Sequence, residues 1–204
     1  MVKDPARDVD ESSGVAVDGE PVGRTSGPRR VYALNKPEGV ISTASDPQGR
    51  PTVVDLVPSD SRLYPVGRLD INSTGLILLT DDGDLANHLT HPRYEVPKTY
   101  HVTVRGGPPL RMSKLQELID GIRLDDGMTL PAKVKKLEPH RFEIILREGR
   151  NRQVRRMTEA IGYRVTKLER VAFGPIVLGN LAEGGHRRLK QPEVQTLRAL
   201  ASPR

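Results

Sequence analysis

Apolar residues of this chain fall in short runs divided by turn-forming clusters, and the two backbone periods separate strands from helices among them. Residues 31–35 read as a strand, Lys36-Pro37-Glu38-Gly39 as a turn and residues 40–44 as a second strand, an order that signals a hairpin. A loop at 46–51 precedes 52–57, which suits a short helix. The run 76–79 is a buried strand, and Asp81-Asp82-Gly83-Asp84 turns the chain into a short helix ending near His91-Pro92. Residues 98–104 alternate and are rich in β-branched side chains, so Tyr100 shares a strand face with Lys98 and Val102. Helical spacing at 110–119 stops at Gly121, strands follow at 132–137 and 141–147, and a helix at 151–161 stops at Gly162. A strand at 164–173, a short one near 176–178 and a helix at 192–200 complete the order. Many strands with interspersed helices, and no regular βαβ alternation, predict an α+β fold with a largely antiparallel sheet.

Residues 1–29 are polar, with Gly14, Gly19, Gly23 and Gly27 around the short pattern Val15-Ala16-Val17-Asp18-Gly19. They predict a strand and turn on a linker, too small for a domain. The whole chain of 204 residues suffices for one substantial core, or for two lobes sharing a sheet.

Charge narrows the partner. A formal charge of +6 and a pI near 9.7 favour a polyanion. The first twenty residues hold six acidic and two basic side chains, so the rest of the chain is more basic than the total suggests. Eight basic residues against three acidic ones lie between Arg147 and Arg170. Absent cysteine excludes disulfides, thiol nucleophiles and thiolate metal sites, and suits a reducing cytosol. No apolar run approaches the ~20 residues that span a bilayer, and the acidic start lacks a signal-peptide layout. A soluble, cytoplasmic chain with no membrane partner is expected.

The stretch Gly67-Arg68-Leu69-Asp70-Ile71-Asn72-Ser73-Thr74-Gly75 places one carboxylate in a glycine-bounded loop before the apolar run. Asp70 is a candidate reacting group, although Asp, Asn, Ser, Thr and Gly also favour turns for purely local reasons. Asp70, Asn72, Thr74 and Gly75 stand at positions one, three, five and six of an EF-hand-like pattern, but the twelfth is Asp81 rather than Glu and a strand follows. His88 and His91 have H-x-x-H spacing without a second ligand cluster, so no metal site is expected. A phosphate-cradling GxxxxGK[ST] segment is absent.

On the helix predicted at 151–161, a spacing of about 100° per residue gathers Arg152, Arg155 and Arg156 in one sector opposite Val154, Met157 and Ile161. Such a stripe suits a solvated face, yet arginine forks at a helix N-terminus also suit phosphate. One member could instead pair with a buried Asp.

Three further segments join the Asp70 loop in a resemblance. Gly67-Arg68-Leu69-Asp70 with Ser73-Thr74-Gly75-Leu76-Ile77-Leu78-Leu79-Thr80-Asp81-Asp82-Gly83 resembles the signature of the pseudouridine synthases that modify single sites in ribosomal RNA. Asn35-Lys36-Pro37-Glu38-Gly39-Val40, Lys98-Thr99-Tyr100 and Glu148-Gly149-Arg150-Asn151-Arg152-Gln153-Val154-Arg155-Arg156-Met157 resemble its other motifs, in the family's order. The likeness runs from about Val31 to Leu200 and leans toward the large-subunit type B enzymes.

The resemblance implies a catalytic domain at 30–204 in two lobes, and an isomerase without metal or organic cofactor. Such enzymes detach uracil from ribose C1′, turn it and rejoin it through C5. Asp70 would be the essential carboxylate, as nucleophile at C1′ or as the base removing a ribose proton. Tyr100 would stack on the base, and Arg155 would pair with the aspartate and keep it ionised as the site dries. Extruding a uridine from folded RNA costs a few kcal/mol, to be recovered by stacking and phosphate contacts. Arg68, Lys98, Arg150, Arg152 and Arg156 are the RNA-binding candidates, with ribosomal RNA or a pre-ribosomal particle as partner. Five Tyr, two Phe and no Trp are too few for an array of stacking platforms, but one flipped base needs only one. Members of this branch commonly carry a small N-terminal RNA-binding domain, of which residues 15–22 resemble only the last strand and turn, so a truncated or shortened monomeric member is expected. A non-catalytic RNA-binding or ribosome-assembly factor on the same scaffold is the alternative.

Overall fold

A computed structural model describes residues 16–17, 20–21, 29–105 and 108–200. Most of the predicted N-terminal remnant lies outside the described residues; within it β1 (Ala16–Val17) pairs with β2 (Glu20–Pro21). The remaining elements, in order, are β3 (Val31–Lys36), β4 (Tyr64–Val66), β5 (Thr74–Thr80), α1 (Gly83–Thr90), a 3-10 turn (Pro92–Tyr94) and β6 (Lys98–Arg105). They continue with α2 (Met112–Asp120), the hairpin β7 (Arg123–Leu124) and β8 (Gly127–Met128), β9 (Lys133–Glu138) and β10 (Arg141–Leu146). The chain then forms α3 (Gln153–Ala160), β11 (Arg164–Phe173), β12 (Ile176–Val177), β13 (His186–Arg188) and α4 (Gln191–Leu200).

Nine strands make one mixed sheet in the order β13-β3-β5-β11-β6-β10-β9, with β4 added to β5 and β12 to β11. All its pairings are antiparallel except β5 with β11. The α+β architecture with a largely antiparallel sheet and flanking helices is thus as the sequence predicts. On one half of the sheet, Leu76 and Leu78 of β5 pack with Leu85 and Leu89 of α1 and Leu197 of α4. Ile77 and Leu79, on the opposite face by strand alternation, pack with Val53, Val57 and Leu69. The other half gathers Val102, Phe142 and Ile144 with Leu115 of α2 and Met157 of α3.

Two local expectations fail. The partner of β3 is β5, about forty residues on, and residues 40–44 contribute only an isolated bridge from Ile41 to Thr52. The reason is that the chain after Gly39 is held to the Asp70 loop, Gly39 N–H donating to Ile71 O at 2.9 Å. Residues 52–57 form successive turns instead of a helix, fastened by Asp55, whose carboxylate accepts from both Thr52 N–H and Thr52 Oγ1 at 2.8 Å.

The halves meet where β5 runs beside β11, with Gly75 opposite Arg170. Gly75 has φ +99°, and a Cβ there would stand 2.4 Å from the Arg170 carbonyl oxygen, so only glycine permits the approach. That junction sets the Asp70 loop above the start of β6.

Candidate active site

Asp70 sits in the loop between β4 and β5, whose tight return is closed by Ser73 N–H donating to the Asp70 carbonyl at 3.0 Å. Leu69, 7% exposed, anchors the loop in the core, while the neighbouring Asp70 side chain keeps 30% of its surface open. The loop is held from below by Lys36 at the end of β3. Its ammonium is buried and donates to the carbonyls of Pro37 and Ser73, both at 2.8 Å, and more distantly to Ile71. Burial lowers the Lys36 pKa to about 8, against the opposing pull of Glu38, Asp70 and Glu183.

Two arginines face the Asp70 carboxylate. Arg152 Nη1 lies 3.6 Å and Arg155 Nε 4.0 Å from Oδ2. Arg155 is the buried one, 7% exposed, and its Nη2 donates to Asn72 O at 2.9 Å and Ser73 Oγ at 3.4 Å. Its Nε has no hydrogen-bond partner, which leaves a buried donor on the side nearest the carboxylate. Burial first, then the Arg152 cation, depresses the Arg155 pKa from its ordinary value, with Asp70 acting against both.

The predicted arginine stripe is divided. The helix begins at Gln153, not 151, and Arg152 caps it in a left-handed conformation at φ 47°. Arg155 lies inward with Val154 and Met157, its donors drawn to Asn72 and Ser73, whereas the wheel sets it opposite them. Arg156 is clamped by Asp125 and Asp126 of the β7–β8 turn, its Nη1 standing 2.9 Å from Asp126 Oδ2. Arg150 is likewise committed, to Glu148 at 3.0 Å and to Asp126 at 3.1 Å. Arg150 and Arg156 could meet RNA phosphates only by exchanging these partners.

Asp70, Arg68, Arg152, Lys98 and Tyr100 line one cavity of about 410 Å³. An open groove on the far side of Asp70, lined by Arg68, Arg152 and the Ile41 to Arg50 segment, extends the same region across the surface. Tyr100, from β6, packs against the cores of both halves. Lys98 stands deeper than a surface phosphate contact would, with Nζ donating to Val96 O at 3.1 Å and a pKa lowered to about 8, first by burial and then by Arg170. Lys36 and Arg170 were not singled out by sequence reasoning. Lys36 stands in the motif Asn35-Lys36-Pro37-Glu38-Gly39-Val40 and Arg170 closes the basic run from Arg147, but neither position signals burial by itself.

A profile described as RNA pseudouridylate synthase matches residues 30–160. The ribosomal large subunit pseudouridine synthase B of Bacillus subtilis is 48% identical over 177 residues, covering 83% of this chain and 72% of that protein. The protein of the same name from Pseudomonas aeruginosa is 42% identical over 203 residues, covering 93% of this chain but only 51% of the relative. A solved crystal structure of pseudouridylate synthase superimposes with TM-score 0.77 at 35% identity, over 83% of this chain and 74% of that one. A chain from an archaeal box H/ACA complex shares the fold alone, at TM-score 0.53 and 16% identity over 72% of this chain and 49% of that one. The profile spans the loop of Asp70, the strand of Tyr100, which lines a cavity with it, and the helix of Arg155, which reaches its carboxylate, and these segments place this chain in the RNA pseudouridylate synthase family.

Proposed function

We propose that this chain isomerises a uridine of ribosomal RNA, in the large subunit, to pseudouridine, with Asp70 as the essential carboxylate. The observation that carries the reading is the placement of Asp70, half in the cavity mouth, with Arg155 and Arg152 facing one oxygen and Tyr100 lining the same cavity. Nucleophilic attack at C1′ and removal of a ribose proton make the same demand, an ionised carboxylate beside the ribose. Arg152 and Arg155 face that carboxylate. In either route the C1′–N1 bond breaks with its electron pair on the base, the base turns, and C5 forms the new bond to C1′.

Tyr100 offers a ring for the extruded base to stack on, and Arg68 and Arg152 border the groove where the flanking phosphates would run. The names of the relatives favour the large subunit. One chain carries Asp70, Tyr100 and Arg155 together, so a monomer suffices. No helix among the described residues is long and apolar enough to cross a membrane, in keeping with work on cytoplasmic rRNA.

Replacing Asp70 with Asn is the test. Pseudouridine formation on a large-subunit rRNA transcript should vanish while RNA affinity stays within a few-fold of wild type. Undiminished conversion by the variant would leave a binding factor as the better account.

A further inference from the structure

The floor of the cavity holds a second pair of cations that the Asp70 site does not use. Along the β6–β11 ladder Arg170 lies opposite Tyr100, and Phe173 lies opposite Lys98. Lys98 and Tyr100 are two residues apart, and an irregularity between Arg170 and Ala172 returns Phe173 to their side of the sheet. All four side chains line the same cavity. Both charges stand against the Phe173 ring, with Arg170 Cζ 5.4 Å and Lys98 Nζ 5.9 Å from its centroid.

Neither cation has an anion of its own among the described residues. Arg170, 1% exposed, spends Nε on Leu76 O at 2.7 Å, and its buried Nη2 has no partner. Lys98 donates only to the Val96 carbonyl. Glu148 lines the cavity but is already occupied, taking Arg150 Nε on one oxygen and both Leu130 N–H and Gln153 Nε2 on the other. A buried, charged donor without a counter-ion is costly to keep, and Arg170, sealed behind the cavity wall, adds its positive charge to the place where Lys98 can meet an acceptor.

Uridine is neutral at its base, and its phosphates stay with the backbone at the cavity mouth. The base becomes an anion only when C1′–N1 breaks and N1 keeps the electron pair, after which the charge spreads over N1, O2 and O4. We propose that Lys98 and Arg170 form the subsite for this departing uracil anion, Lys98 donating to a carbonyl oxygen and Arg170 stabilising the charge from behind the cavity wall while the ring turns over Tyr100. The charge leaves the base when C5 attacks C1′, passing to the Asp70 carboxylate as an Asp70–C1′ ester bond breaks or as Asp70 returns the proton it took from the ribose, and giving a neutral adduct with C6 doubly bonded to N1. Loss of the C5 proton and gain of one at N1 then complete pseudouridine. The arrangement favours a charge present only after bond cleavage has begun, so it acts on rate more than on binding.

This inference rests on the isomerase reading, and single-turnover kinetics separate the two. Wild-type chain that leaves an unmodified large-subunit rRNA transcript unchanged sinks the isomerase reading. With wild type active, Lys98→Met should slow conversion about 100-fold at unchanged RNA affinity, the scale of losing one donor to a developing oxyanion. On a transcript carrying 5-fluorouridine, whose base leaves as a weaker base and whose adduct has no C5 proton to lose, consumption of the starting nucleoside is followed instead of pseudouridine; the Lys98→Met defect there should be smaller, a dependence that a merely structural lysine would not produce. Conversion as fast as wild type, an equal defect on both transcripts, or a loss expressed as weaker binding with a salt slope reduced by about 0.7 would each overturn the proposal, the last by marking Lys98 as a phosphate contact.

Discussion

Lys36 Nζ stands 2.8 Å from the Ser73 carbonyl oxygen, so the last residue of one strand fastens the loop that presents Asp70. Lys36→Met keeps the bulk but leaves the carbonyls of Pro37 and Ser73 without their donor, at about 1–3 kcal/mol for each buried acceptor that water does not reach. Removal of a desolvated charge offsets part of that cost. We expect activity to fall at least about 10-fold because the carboxylate loses its position, a misplacement effect. The folded Lys36 titrates near 8, below its unfolded value of 10.5, so between those pH values the unfolded chain holds the proton and the folded one does not. Stability from this group therefore rises with pH in that window, by at most about 1.4 kcal/mol per pH unit. Urea unfolding at pH 8 and pH 10 should show wild type gaining on Lys36→Met; a constant gap would contradict the buried ammonium.

Arg155 reaches the loop through a planar fork, with Nη2 on Asn72 O at 2.9 Å and Nε toward Asp70 at 4.0 Å. Lysine cannot make both approaches at once. Arg155→Lys should therefore lower the single-turnover rate by about 100-fold or more while RNA affinity changes little, as expected of a group acting on charge at the reacting carbon. A loss confined to RNA affinity would move Arg155 from the catalytic group to the binding group.

The remaining arginines divide by their partners. Arg152 is 47% exposed at its side chain and borders both the cavity and the groove, whereas Arg156 is clamped between Asp125 and Asp126. Arg152→Ala should weaken RNA binding and reduce the salt slope by about 0.7, the value for one single-strand phosphate contact. Arg156→Ala should leave that slope unchanged. Replacing Asp125 and Asp126 with Asn together removes both carboxylates that clamp Arg156, while Arg150 keeps Glu148, and should tighten RNA binding with a steeper slope. Binding titrations at several salt concentrations check all three, and a slope lost in Arg156→Ala would show that the carboxylates yield to phosphate.

The Asp70 loop was legible because glycines and turn-forming residues bound it on both sides and an apolar run follows, all within ten positions. The strand of Tyr100 announced itself by alternation. Pairing partners were not local. The order β3 then Pro37-Glu38-Gly39 looks like a hairpin, but β3 meets β5 because hydrogen bonds from Lys36 and Gly39 tie that turn to a loop more than thirty residues away. Charge misled in the same way. A helical wheel sorts arginines outward, yet Arg155 lies inward on α3 because its donors meet the carbonyl of Asn72 and the hydroxyl of Ser73. The roles of Lys36 and Arg170 are not legible in the sequence, because their burial depends on distant carbonyls and on the Gly75 approach, none of which leaves a periodic mark.

Lys98 gives the site its own pH signature. Its pKa of about 8 arises from burial and from the Arg170 cation, with Glu148 partly opposing, and Tyr100 two residues along shares its face of the strand. If the ammonium stabilises charge on the departing base, the rate of conversion should hold up to about pH 8 and fall above it as the proton is lost. Lys36 titrates in the same range, so the wild-type profile alone does not assign the limb. Lys98→Met does: the variant should be slower at neutral pH and should lose most of the decline between pH 7 and 9. A decline that persists at full size in Lys98→Met, and disappears in Lys36→Met, would transfer the signature from the cavity floor to the support beneath Asp70.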